Sequence, residues 1–510
     1  MPSVRAERPG AAALLGWLTD PEAPRLCLVT GAPGLLGWLA AHGPRAAGRH
    51  RSTRALVPLT GRSALGTAWA VADHLGVVAG SADDLVRALA TSETGRAGRT
   101  VLLLPALHEA AEPAAVARLL KDLAALGRVR VVVETIPDTP EHELLAEGRV
   151  ALVEEAEEAE ETGTPAASPR PPALQLADPA EVCAADPVAV TTGYVTDPDD
   201  HGGLRTAWLR AGQALCAAGS PAERALLLRA VLGDAADPRL GPALDALAAP
   251  APWRVRWSRV TGDVAPPWPG PVAALAAQGG TLLVADLGGT VRLLAASDAR
   301  PLGVLDHPVT GRVTALAPAP DGTVLLLDER GRLHTVRGRD PRPPYLQRLT
   351  EAVSATLSRH PGTALAAIAG SVVVGDRLGS VHAFGLTGLH QAALHSGRVT
   401  AVAAVDSATP FVCSGGADGA VRLWTPGQDA DPAPLTERRS PVVSLAATET
   451  PHGPVLAAAW ADGTVELHRV EQSASRAFRP GPPVRAVTVS PDGTLFLGLE
   501  EALLALTLRS

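Results

Sequence analysis

The sequence predicts a multidomain chain: an α/β domain with a mainly parallel sheet, a helical neck, and an all-β ring of six blades. Seven is the alternative count. Three observations predict this. In the second half, an apolar strand begins at Val272, Val313, Val353, Val399, Val442 and Val484, in steps of 41, 40, 46, 43 and 42 residues. A period of forty-odd residues with about four short strands per unit is the pattern of a propeller blade. Turn chemistry repeats with it: Asp321-Gly322, Asp418-Gly419, Asp462-Gly463 and Asp492-Gly493 suit tight hairpins, and Gly289, Gly331 and Gly379 stand at matching places. In the first half, apolar strands at 26–30, 56–59, 101–104 and 129–133 alternate with helical stretches at 64–75, 82–90 and 113–126, which is the layout of a parallel sheet with crossover helices.

Taken in order, residues 1–150 form the α/β domain. Ala11 to Leu18 reads as a helix, and Leu26-Cys27-Leu28-Val29-Thr30 as a buried strand. Gly31-Ala32-Pro33-Gly34 follows at once, so a Gly-rich turn sits between a strand and a helix, where backbone amides can cradle a phosphate. Residues 151–180 read as a linker. Glu154 to Glu161 holds six glutamates in eight residues, and 162–172 is rich in Pro, Ala and Ser. A helical neck spans 181–250. Leu204, Trp208, Ala211 and Leu215 form an apolar stripe, Ser220-Pro221-Ala222-Glu223 is a capping box, and a third helix runs from Pro238 to Ala248.

The ring spans 253–510. Strands such as Thr281 to Ala285 and Val324 to Leu327 are almost wholly apolar, which suits strands covered on both faces by neighbouring blades. The sixth unit stops after its third strand. Trp253-Arg254-Val255-Arg256-Trp257 is its expected outer strand, closing the ring and removing an open sheet edge.

The fourth unit resembles the WD-repeat family through His395, Gly397, Val399, Asp418 and Trp424. That resemblance implies a structural hydrogen-bonded cluster of His395, Asp418 and Trp424. The other units depart from the pattern: Leu294, Phe384 and Leu467 stand near the place of the terminal Trp. In the first half, Trp17-Leu18-Thr19-Asp20 and Leu28 to Gly34 resemble the nucleotide-binding domain of STAND-type bacterial signalling NTPases. That resemblance implies a vestigial nucleotide site at Gly31, Gly34 and Glu109. The family continues Gly-Lys-Ser or Gly-Lys-Thr, whereas this chain has Leu36, Gly37 and Trp38. A P-loop lysine reaches the β- and γ-phosphates, and the next hydroxyl holds magnesium. Gly37 and Trp38 offer neither, and Pro105 and His108 stand where the family has aspartates. The resemblance therefore implies a pseudo-NTPase with no catalytic residues. Weak ATP or GTP binding is left as the alternative.

Composition bounds the rest. Hydrophobic content of 46% and charge of 19% fit a globular protein, and a net charge of −8 argues against nucleic acid as main partner. Arg45, Arg49, His50, Arg51 and Arg54 form one basic cluster, read as a solvated turn or a phosphate holder. Lys121 is the only lysine. With the Ala, Gly and Pro enrichment, this arginine-for-lysine usage resembles proteins of GC-rich bacteria such as actinomycetes. Cys27, Cys183, Cys216 and Cys413 lack metal-ligand spacing and read as buried free thiols. His108-Glu109-Ala110-Ala111-Glu112 lacks the second histidine of a zinc-protease helix, so no metal is expected. With no apolar run long enough to span a bilayer and no basic-then-apolar leader, a cytoplasmic location without membrane insertion is expected. The function expected is a non-catalytic protein-interaction scaffold, the propeller offering its faces to other proteins. A nucleotide-dependent switch, or a small-ligand sensor in the central channel, are the competing readings.

Overall fold

The computed structural model describes residues 9–31, 34–42, 54–91, 100–154, 174–260, 271–319, 321–336, 344–368, 370–385, 388–407 and 410–509. The chain divides into two units, residues 1–201 with 215–217, and 202–214 with 218–510.

In the first unit the elements run α1 (Pro9–Thr19), β1 (Leu26–Thr30), α2 (Leu35–His42), β2 (Arg54–Leu56), α3 (Ala64–Leu75), α4 (Ala82–Thr91) and β3 (Thr100–Leu104). They continue α5 (Pro113–Ala125), β4 (Val129–Glu134), α6 (Pro140–Ala146), β5 (Val150–Glu154), α7 (Pro179–Ala184) and α8 (Pro187–Thr196). The five strands are parallel, in the order β2-β3-β4-β1-β5. β5 carries the sheet past residue 150, to Glu154. The rest of the glutamate run, from 155 to 161, and the stretch 162–172 lie outside the described residues, as do Arg45, Arg49, His50 and Arg51 of the basic cluster.

Alternation along the strands sorts the side chains between two cores. Leu26, Leu28, Leu102, Leu104, Val131 and Val133 pack with α3, α4, α5 and α6. Cys27, Val29, Val101, Leu103 and Val132 pack with α1 and α2. One residue breaks the apolar pattern. Arg130 of β4 is buried, stacks 5.0 Å from the Trp17 ring, and donates to the Trp17 carbonyl at 2.6 Å and to the Asp20 carbonyl. A cation against the last carbonyls of α1 is favoured by the helix dipole and satisfies groups the helix leaves open.

In the second unit, strand β6 (Trp253–Val260) precedes six sheets. Blade 1 comprises β7 (Val272–Gln278), β8 (Thr281–Asp286), β9 (Val291–Ala295) and β10 (Pro301–Leu305), and blade 2 comprises β11 (Val313–Pro318), β12 (Val324–Asp328) and β13 (Leu333–Val336). Blade 3 comprises β14 (Ala364–Ile368), β15 (Ser371–Gly375), β16 (Ser380–Gly385) and β17 (Gly388–Ala393). Blade 4 comprises β18 (Val399–Val405), β19 (Phe411–Gly416), β20 (Ala420–Trp424) and β21 (Thr436–Glu437). Blade 5 comprises β22 (Val442–Thr450), β23 (Gly453–Trp460), β24 (Val465–Arg469) and β25 (Ala474–Phe478). Blade 6 comprises β26 (Val484–Val489), β27 (Leu495–Leu499) and β28 (Ala502–Leu508), completed by β6. The inner strands of successive blades abut around the whole ring, β26 meeting β7. The count is six.

The predicted start of the third unit needs correction. Val353 lies in a helix, Pro344–Leu357, and the blade begins at Ala364. Leu349, Val353 and Leu357 form a stripe at four-residue spacing, buried against Leu327, Leu333, Val372 and Phe384. Around Val353 a short apolar run fits either period, and spacing over a longer window decides for the helix. Among the described residues blade 2 has three strands, and this helix packs beside the last of them.

The ring closes as the sequence predicts. β6 pairs with β28 in antiparallel register, from Trp253↔Leu508 to Val260↔Ala502. The register slips between Ala505 and Leu506, leaving Arg256 as the extra residue on β6. A bulge of this kind reverses which side later residues face. Trp253 therefore reaches blade 5, its indole donating to the Ala477 carbonyl at 3.0 Å beside Phe478. Trp257 reaches blade 1, donating to the Ala296 carbonyl at 3.0 Å.

Ahead of β6 stand α9 (Leu204–Ala217), most of it in this unit, then α10 (Pro221–Val231) and α11 (Leu240–Leu247). α10 packs against β6 and α11. Half of the expected capping box forms: Ser220 Oγ accepts from the Glu223 N–H at 3.2 Å, while the Glu223 carboxylate accepts from the N–H of Gly219, one residue before the cap, at 2.9 Å.

Candidate functional site

In blades 1 to 4 the turn between second and third strands lies at the same end as the loop leading into the next blade. Hydrogen bonds show it directly. Gly289 O accepts from His307 Nε2 at 2.9 Å, and Gly331 O from the Gly362 N–H at 3.0 Å. Gly379 O accepts from the Leu394 and His395 N–H groups at 3.0 Å, and Gly419 O from the Arg438 N–H at 3.1 Å. All four glycines have positive φ. The incoming loop lies so close over each that a Cβ would meet a backbone carbonyl, so glycine is required by backbone conformation and by approach together. These loops are pinned to the ring.

The fourth blade brings His395 and Asp418 together but not Trp424. His395 Nδ1 donates to Asp418 Oδ1 at 3.0 Å, and Nε2 pairs with Ser414 Oγ at 2.9 Å. Asp418 Oδ2 accepts from the Ser396 N–H at 3.1 Å. The Trp424 indole instead donates to the Gln428 carbonyl at 3.0 Å, because β20 ends at Trp424 on the side of the blade away from this turn. The cluster is His395–Ser414–Asp418, and Ser414 is the member that sequence reading missed.

Blades 2 and 3 use a different device for the same turn. Asp328 Oδ1 accepts from the Arg330 and Arg332 N–H groups, and its Oδ2 pairs with His334 Nε2 at 2.9 Å. Asp376 repeats this, accepting from the Leu378 and Ser380 N–H groups and pairing with His382 at 3.0 Å. Blade 1 has Asp286 with Arg292 at 3.9 Å. One carboxylate oxygen organises the turn and the other pairs with a His or Arg six residues on. The recurring Asp-x5-His/Arg spacing was a legible signal for these pairs.

Burial alone would raise the Asp418 carboxyl, but hydrogen bonds from His395 and the Ser396 N–H, with the imidazole charge, outweigh it and hold it at about 2 against the usual 3.8. The Asp328 and Asp376 carboxyls are lowered by the same balance. A carboxyl depressed on folding adds stability above its unfolded value, and that stability is lost as pH falls through the folded value. The wild type is therefore expected to lose stability between pH 3.8 and about 2. Asp418→Asn should flatten that acid limb in part, as read from urea midpoints across the range. An unchanged limb would show that Asp418 does not carry this linkage.

In the first unit, the chain leaves β1 for α2 on one face of the sheet, whereas the helices after β3 and β4 lie on the other. Open α/β sheets form a ligand crevice at such a reversal, beyond the carboxyl ends of the strands. Gly31 and Gly34, with φ of 66° and 78°, stand there after β1. Glu109 lies in a short turn after β3, where its carboxylate accepts from Thr60 Oγ1 at 2.7 Å and its carbonyl from the Gly61 N–H at 2.8 Å. Glu109 thus ties the segments after β2 and β3 together. Trp38 packs on the core beneath α2. Lys121 is engaged by Glu147 at 2.8 Å and the Leu144 carbonyl at 3.1 Å. Glu112 accepts from the Ala64 N–H at 2.9 Å, capping α3. Cys27, Cys183 and Cys413 are buried free thiols, Cys216 only partly so, and burial pushes the Cys27 thiol up to about 12. Among the described residues no helix is long and apolar enough to cross a membrane.

Residues 389–425, the last strand of blade 3 and most of blade 4, match the family model for the WD domain, G-beta repeat. The chain carries a WD40 repeat. The ring is a six-bladed propeller in which blade 4 carries this match and blades 1 to 3 place Asp–Arg and Asp–His pairs at the corresponding turn. No curated protein matches the chain. Among solved structures, the WD40 β-propeller domain of Doa1 is similar at 14% identity, covering 51% of this chain and 98% of that one, with a TM-score of 0.36. A computationally designed protein, Ika8, is similar at 20% identity, covering 47% and 71% respectively, with a TM-score of 0.31.

Proposed function

We propose that this protein is a non-catalytic interaction scaffold: the WD40 propeller presents the binding surface, and the α/β unit is a pseudo-NTPase module. The observation that carries the reading is the ring itself, closed by β6, with its loops pinned by glycine carbonyls at one end. Preformed loops bind a partner with little loss of conformational freedom. The pseudo-NTPase part draws support from the crevice. Gly31 and Gly34 keep the turn, but Gly37 has no side chain to reach a phosphate and Trp38 is spent on packing. The only lysine, Lys121, is committed to Glu147. The partners of such a scaffold are other proteins, in the cytoplasm of the cell that makes it.

The retained Gly31, Gly34 and Glu109 favour a second reading, a weak ATP- or GTP-binding switch. Calorimetric titration of the full chain with magnesium-ATP and magnesium-GTP separates the two. The scaffold reading expects no saturable heat and no phosphate release. Saturable binding at micromolar concentration would replace it with the switch.

A further inference from the structure

We infer that the outer strand of blade 3, β17, pairs edge to edge with β17 of a second copy of this chain. This self-association goes beyond the scaffold reading and does not depend on it. The outermost strand of a sheet leaves a row of backbone N–H and C=O groups unpaired, which is a template for another strand. In five blades that edge is guarded. Pro301 opens β10 of blade 1, and the register slips between Pro301 and Gly303. In blade 2 the helix Pro344–Leu357 packs beside β13. β21 of blade 4 has only two residues and ends on the exposed Glu437. β25 of blade 5 carries the exposed Arg476 at its centre, and β6 of blade 6 carries Arg254, Arg256 and Arg259 with a slip of its own. Prolines, bulges, short strands and charges are the devices that keep sheet edges from joining.

Among the described residues β17 has none of them. It lies at the end of its sheet, and its six residues, Gly388 to Ala393, include no Asp, Glu, Lys, Arg or Pro. It pairs with β16 one to one, from Gly385↔Gly388 to Ser380↔Ala393, without a slip. Leu389, Gln391 and Ala393 share one face by alternation. All three are exposed, Leu389 by 54%.

The strand's own sequence selects a second copy as the occupant. Two-fold antiparallel pairing centred on Gln391 sets Leu389 opposite the second copy's Ala393, and Gln391 opposite the second copy's Gln391. A large side chain then meets a small one on each side of the axis. The carboxamide, which both donates and accepts, hydrogen-bonds its own mate. His390 meets Ala392 on the other face, which keeps the two imidazoles apart. A guarded strand cannot do this: Arg476 at the centre of β25 would be set against itself. A pair of six-residue strands is smaller than a standard interface, so the dimer should be reversible and depend on concentration.

Sedimentation velocity of the full chain over a range of concentrations tests this. Wild type should pass from monomer to dimer as concentration rises. Gln391→Lys sets two ammonium groups opposite each other and should weaken dimerisation about tenfold or more. Its urea midpoint should stay that of wild type, because the side chain is exposed. Ser475→Lys, on the exposed outer strand of blade 5, should dimerise as wild type does. Mild oxidation reads the register, with wild type as the blank. Gln391→Cys should form a disulfide-linked dimer, Leu389→Cys by itself should not, and a mixture of Leu389→Cys with Ala393→Cys should. A wild type that stays monomeric, a dimer indifferent to Gln391→Lys, or a Gln391→Cys chain that does not cross-link would overturn the inference. Capture from cell extract separates this from the scaffold reading. A monomeric wild type that holds a protein which Gln391→Lys loses would refute self-pairing and leave the scaffold intact.

Discussion

Replacing Trp257 by alanine is expected to lower the stability of the propeller by about 3–5 kcal/mol. The indole is buried between the last blade and the first, among Val272, Leu282, Phe496 and Leu503, and donates to the Ala296 carbonyl. Its removal leaves a large cavity and an unpaired carbonyl at the seam. No other blade is completed by a strand from so far away in the chain. Elsewhere each blade is built from consecutive strands, whereas the last blade is completed only when β6 pairs with β28, beside the packing of β26 on β7. Urea denaturation should therefore show a lower midpoint and an unfolding slope that falls if the ring opens before the blades melt. A loss below about 1 kcal/mol would mean that the seam is held by backbone pairing, with the tryptophan contributing little.

Gly379→Ala is expected to cost about 2–4 kcal/mol, whereas Gly493→Ala should cost only about 1 kcal/mol. Both glycines have positive φ, 96° and 79°. They differ in what lies above them. A Cβ on Gly379 would be driven into the His395 carbonyl, and one on Gly493 meets nothing within 4 Å. The difference between the two variants thus isolates the loop that crosses over the blade 3 turn. That loop carries His395, so Gly379→Ala should also disturb the histidine, visible as a shifted imidazole resonance. Equal losses in the two variants would show that backbone strain alone sets the requirement.

Much of the architecture was legible because it rests on local patterns. Six blades, the closing role of residues 253–257 and the strands at 26–30, 101–104 and 129–133 follow from apolar periodicity and turn residues, whereas the strand expected at 56–59 lies at Arg54–Leu56 and Val150–Glu154 was not read as one. Local pattern failed where two periods fit the same residues. Val353 and Leu357 could begin a strand, and only their burial with Leu349 against Leu327 and Phe384 makes them a helix face. Of the candidate cluster, His395 and Asp418 were readable from spacing; Ser414 was not, since its place on the facing strand depends on register.

What the sequence by itself determined is where the chain turns, which strands are buried on both faces, and that the repeats form a ring. The tertiary structure alone decided which distant groups meet. Arg130 finds the end of α1 113 residues away, and Trp253 reaches Ala477 across 224. The reason is physical: backbone conformation and hydrophobic alternation are set among near neighbours in the chain, whereas pairing a charge or filling a seam depends on distances that exist only once the sheet and the ring have closed.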